Sequence, residues 1–105
     1  MKASKRAALE KVGWTVGTAD EFLELSSEER AFVDVKLALA EALRARRERK
    51  KMTQAQLAKL LGSSQPRVAM MEAGDGSVTV DLLVRSLFAI GATPKDLARV
   101  LAGRR

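Results

Sequence analysis

The sequence predicts an all-α domain on three grounds. Hydrophobic residues make up 47% of the 105-residue chain and aromatics only 4%. That balance favours a core of Leu, Val, Ala and Met over an aromatic-rich β-sandwich. From Phe32 onward the apolar residues recur at helical spacing. Finally, Ser or Thr start signals alternate with Gly stop signals along the whole second half of the chain. A chain of this length can bury one modest core. We divide it into an N-terminal extension, 1–30, and a five-helix domain, 31–105.

The extension holds 11–17, KVGWTVG, read as a short strand or a loop, and a brief helix from Thr18 to about Leu25. Glu21 completes a capping box with Thr18. Ser26 and Ser27 open a long helix running to about Lys50. Acids stand at its start and bases at its end, as the helix dipole favours. Phe32, Val35, Leu39 and Leu43 form its apolar stripe, which Val33, Leu37 and Ala40 widen. Thr53 and Gln56 form the next capping box, for a helix ending at Leu61 before Gly62. Ser64 caps the helix after it, with Pro66 in the first turn, where a missing N–H does no harm, and Gly74 at its end. Thr79 opens a helix carrying Leu83, Val84, Leu87 and Ile90, stopped by Gly91. Thr93-Pro94-Lys95-Asp96 starts the last helix, expected to turn Leu97, Val100 and Leu101 inward.

Composition excludes several kinds of chemistry. The chain has no His and no Cys. It therefore lacks a disulfide framework, a Cys/His zinc site and any Ser-His or Cys-His nucleophile pair. Its carboxylates gather at helix starts without convergent partners, so an enzyme is not expected, nor is a cofactor or metal. With no apolar run of about 20 residues and no signal-like start, the expectation is a cytoplasmic protein without a membrane partner. Net charge is +6, unevenly spread. Residues 18–35 carry six acids against Arg30, whereas 36–67 carry nine bases against Glu41 and Glu48. The basic block suits a phosphate-facing surface; the alternative is a solvated helix end.

Within that block, two short helices joined by Gly-Ser have the layout of a helix-turn-helix, with Ala58, Gly62 and Val68 as crossing residue, turn and buried aliphatic. The stretch TQAQLAKLLGSSQPRVAMMEAG resembles the Xre and phage-repressor helix-turn-helix family through its Thr-Gln-x-x-Leu-Ala, Gly, Gln and Glu-x-Gly landmarks. The likeness runs from about Leu39 to Leu101. It implies a lambda-repressor-like domain whose second helix enters the major groove N-terminus first. By that resemblance Gln65 and Met70 contact bases, with the Gln65 carboxamide suited to adenine and Met70 to a thymine methyl, and Arg67, one turn in, is a further base contact that can reach guanine or else a phosphate. Gln54, Lys59 and Ser64 contact phosphates. Arg47 and Glu72 match a structural ion pair between the first and third helices of that domain. Two positions depart from the pattern. Pro66 replaces a polar residue, which thins base readout, and Lys51 replaces a glycine, which implies a looser turn.

The N-terminal part resembles the HigA-like antitoxins in its layout. This implies a repressor of its own operon that also neutralises a small basic toxin of the RelE/HigB type. The acidic run 18–35 beside Phe22, Leu23, Leu25 and Phe32 is the matching surface for a basic partner, with Trp14 either an anchor there or part of the protein's own core. The implied assembly is a homodimer on palindromic double-stranded DNA. Its expected dimer surface surrounds Leu87, Phe88, Leu97, Val100 and Leu101, or alternatively the broad stripe of the first long helix. A stand-alone Xre regulator and a protein–protein adaptor of the same fold are the competing readings.

Overall fold

A computed structural model describes residues 26–103. The expectations placed on 11–17, Trp14 and the brief helix at 18–25 lie outside the described residues. The chain divides into two compact units, Met1–Ala31 and Phe32–Arg105. In the first, the described part is a helix start. The Ser26 hydroxyl accepts the Glu29 N–H at 3.1 Å while the Glu29 carboxylate accepts the Ser26 N–H at 3.0 Å. Two otherwise unsatisfied backbone donors are thereby paired.

Five helices follow one another among the described residues, with no strand: α1 (Ser27–Arg49), α2 (Gln54–Leu61), α3 (Gln65–Ala73), α4 (Val80–Ala89) and α5 (Pro94–Gly103). The all-α helix-turn-helix fold is as expected. In the second unit, α2 packs on both α3 and α4. The core gathers Leu39 and Leu43 of α1, Leu57 and Ala58 of α2, Val68 and Met71 of α3, and Leu83 and Leu87 of α4, closed by Val78, Ile90 and Ala92. Each fully buried Leu or Val contributes about 1.5–3 kcal/mol relative to exposure.

Caps set the element boundaries. Thr53, Ser64 and Thr79 each accept an N–H from the first turn of their helix, and at Thr53 the Gln56 side chain closes the reciprocal bond. Gly62 and Gly74 end α2 and α3 at φ 67° and 69°, the left-handed region that costs glycine nothing. At Gly74 a Cβ would also lie 2.7 Å from Leu37 Cδ2, so the end of that side chain would have to shift to admit one.

Along α1 the fully buried residues begin at Ala38, and Phe32, which the sequence places at the edge of a partner-facing surface, is 57% exposed. Two expectations require correction. Leu101 does not turn inward but is 41% exposed, while Leu97 packs partly against the core. The turn at Lys51 is not loose. Lys51 stands at φ 59°, its N–H bonds to the Glu48 carbonyl at 2.9 Å, and the Met52 N–H bonds to the Arg47 carbonyl at 3.1 Å.

Candidate nucleic-acid interface

The second helix of the motif, α3, is held from behind and open in front. Val68 and Met71 are fully buried, whereas Gln65, Pro66 and Arg67 in the first turn are exposed. Met70 is 37% exposed. Ser64 spends its hydroxyl oxygen as the N-cap, accepting the Arg67 N–H at 3.3 Å. Its hydroxyl hydrogen can still donate. Lys59 is exposed on the last turn of α2. This opening is built by sequence: Gln-Pro-Arg places no aliphatic side chain in the first turn, so only the second turn onward docks against α2.

Beneath that turn lies a polar cluster. The Arg47 guanidinium of α1 meets the Glu72 carboxylate of α3 twice, Nε to Oε2 at 2.5 Å and Nη2 to Oε1 at 3.0 Å. Its Nη1 donates to the Met52 carbonyl at 2.7 Å, which ties the turn before α2 into the same centre. The side chains of Arg47 and Glu72 are 11% and 4% exposed. The hydrogen bonds with Glu72 hold the Arg47 guanidinium above its ordinary pKa, and the carboxylate charges of Glu72 and Glu48 act the same way, against the opposite pull of burial. Removing either member of such a pair strands the other, at about 3–5 kcal/mol.

Gln54, half-buried at the start of α2, connects this centre to the surface. Its Nε2 donates to Glu72 Oε1 at 3.1 Å, and its Oε1 accepts from Gln65 Nε2 at 2.7 Å. Four side chains thus run in one line, Arg47 to Glu72 to Gln54 to Gln65. The structure brings these four together, and leaves Lys59, Arg67 and Met70 as separate surface positions. Sequence reasoning missed the two amide links, although Gln54 and Gln65 both stand in the first turns of consecutive helices. It also missed a second tie from α1, Arg46 to Asp96 of α5 at 3.2 Å.

A comparison with protein families matches residues 43–85 to a helix-turn-helix family. The matched segment contains α2, α3 and the four linked side chains, and it supports a DNA-binding transcription regulator. Neither the curated proteins nor the solved structures yielded a match. No described helix is long and apolar enough to cross a membrane.

Proposed function

We propose that this helix-turn-helix chain is a sequence-specific transcriptional repressor, and that it serves as the antitoxin of a type II toxin–antitoxin module. Two copies present α3 to the half-sites of a palindromic operator. Gln65, Arg67 and Met70 meet base edges; Gln54, Lys59 and Ser64 meet phosphates. The observation that carries the DNA reading is the first turn of α3, where an amide and a guanidinium stand exposed on a helix whose opposite face is fully buried. The geometry suits a major groove, which admits a helix end and offers paired acceptors and donors. The basic block 36–67 supplies the sequence-independent attraction to phosphate.

The antitoxin role rests on the acidic run 18–35 and on the exposure of Phe32 and Val33, an apolar pair that a basic, RNA-handling partner could cover. The deciding experiment is a footprint of the purified full chain on DNA upstream of its own reading frame, with and without a co-expressed neighbouring small basic protein. Protection of an inverted repeat is expected. Uniform protection regardless of sequence would reject the repressor reading, and failure of any small basic protein to co-purify would reject the antitoxin role alone.

A further inference from the structure

Beside the buried Met71 of α3, the end of α2 and the length of α4 enclose an open cleft of about 310 Å³. Leu60, Leu61, Met71 and Leu82 give it apolar walls, and Leu60 stands 54% exposed at its edge. Leu82, Arg85, Ser86 and Ala89 recur at spacings of three and four, so one face of α4 turns toward this space. Ser86 is 3% exposed, and water scarcely reaches it. A buried hydroxyl normally finds a hydrogen-bond partner, often a carbonyl one turn back in its own helix. Among the described residues the Ser86 hydroxyl has none. Glu72, whose side chain is hidden to a similar degree, is by contrast met by Arg47 and Gln54. The cleft between α1 and α5 also has its charges spent, Arg46 on Asp96.

We infer that this cleft is a binding site for a small apolar carboxylate. The hydrocarbon body lies against the leucine and methionine walls, and one carboxylate oxygen accepts the Ser86 hydroxyl hydrogen. Arg85, the neighbouring residue and exposed at the mouth, supplies the opposite charge. Its Nε donates to Asp81 at 3.1 Å, and a guanidinium has five N–H donors, so others remain for the second oxygen. An ammonium head would meet an arginine that accepts nothing and repels its charge. A hydroxyl head would satisfy Ser86 but leave Arg85 without an anion. The volume lies at the lower end for small-molecule sites, which limits the occupant to a compact one. Because α2 packs on α4, an occupant touching both braces the frame on which α3 is mounted. The site stands independently of the DNA reading proposed above.

The test titrates octanoate, octan-1-ol and octylammonium, three heads on one body, into the isotopically labelled full-length chain and follows its amide NMR spectrum. Octanoate is expected to saturate with a Kd of about 1 mM or tighter. Its shifts should gather at residues 60–63 and 82–89, and the melting temperature should rise with its concentration. Octan-1-ol should bind several-fold more weakly and octylammonium more weakly still. Ser86→Ala removes a hydroxyl that has no partner, so its urea midpoint should match the wild type while octanoate affinity falls by roughly tenfold. Arg85→Gln, at an exposed position, should lower octanoate affinity by about threefold and leave octan-1-ol binding unchanged. If Ser86→Ala does not fold, Arg85→Gln decides. Octan-1-ol or octylammonium binding as tightly as octanoate overturns the inference. Shifts gathered elsewhere, no saturation by about 10 mM, or wild-type octanoate affinity in the folded variants overturn it equally.

Discussion

Lys51 is the only non-glycine residue among the described residues with a positive φ, at 59°. An L-residue in the left-handed region is disfavoured by about 1–2 kcal/mol, because its Cβ crowds the following carbonyl. Two backbone hydrogen bonds, from the N–H groups of Lys51 and Met52 to carbonyls in the last turn of α1, hold it there. The pull of Arg47 on the Met52 carbonyl fixes the chain just beyond. Lys51→Gly should therefore stabilise the fold by about 0.5–1 kcal/mol, the relief being partly offset by the greater freedom of glycine in the unfolded chain. Urea denaturation at neutral pH measures this; an unchanged or lower midpoint would show that Lys51 is not strained. The resemblance to repressor helix-turn-helix domains implies a glycine at this position, but does not say whether the turn opens when Lys51 takes its place. Residue identity sets the cost of a conformation, while the bonds of the neighbours decide whether it is adopted. Gln54 and Gln65 teach the same point. Their types and the crossing of their helices were readable, but the side-chain orientations that join the two amides were not.

At the scale of elements, the helix starts were legible and the outward faces were not. A cap is written within four residues, so Thr53, Ser64 and Thr79 sit where the sequence puts them. Which face of α1 or α5 is covered depends on what lies opposite, and periodicity alone cannot report that. Hence Phe32 and Leu101 fit an apolar stripe yet stand in solvent. The start of α5 gives a prediction of its own. Asp96 accepts the Thr93 N–H at 2.9 Å, its own N–H bonds to the Thr93 hydroxyl at 3.1 Å, and Arg46 of α1 lies 3.2 Å away. The backbone and side-chain bonds of Thr93, then the nearby charges of Arg46 and Arg99, hold the Asp96 carboxyl below its ordinary pKa. A carboxyl depressed in the folded state stabilises the fold above its unfolded pKa, about 4, and that contribution is lost as pH falls through the folded value. Thermal melts from pH 6 downward should show stability declining below about pH 4. Asp96→Asn should flatten part of that decline. The same slope in the variant would assign the acid sensitivity to other carboxylates, of which Asp75, depressed by its bonds from Ser77, is the first candidate.

At the scale of the whole molecule, the proposed dimer is the feature least legible in the sequence. A helix face that packs on the protein's own core and one that packs on a second copy have the same periodicity. The structure separates some of the expected interface residues. Leu87 is fully committed to the core and cannot serve a partner, whereas Phe88 and Leu101 are 44% and 41% exposed. Val100 is half-buried and, with Ala38, Ala42, Ala45 and Gly103, lines a shallow groove between α1 and α5. If a second copy covers these side chains, Phe88→Asp and Leu101→Asp each place a charge in an apolar contact while sparing the monomer, since exposed positions outside the core usually tolerate substitution within about 0.5 kcal/mol. Sedimentation should then show a dimer for the wild type and a monomer for both variants, with unchanged melting by circular dichroism at low protein concentration. Affinity for a single half-site should stay the same, because α3 is untouched. Affinity for the full operator should fall by about 10²-fold or more, since the two reading helices no longer arrive together and the second half-site loses its effective concentration. Dimers that persist in both variants would move the interface to the exposed face of α1 at Phe32 and Val33, the same apolar pair on which the proposed antitoxin role relies.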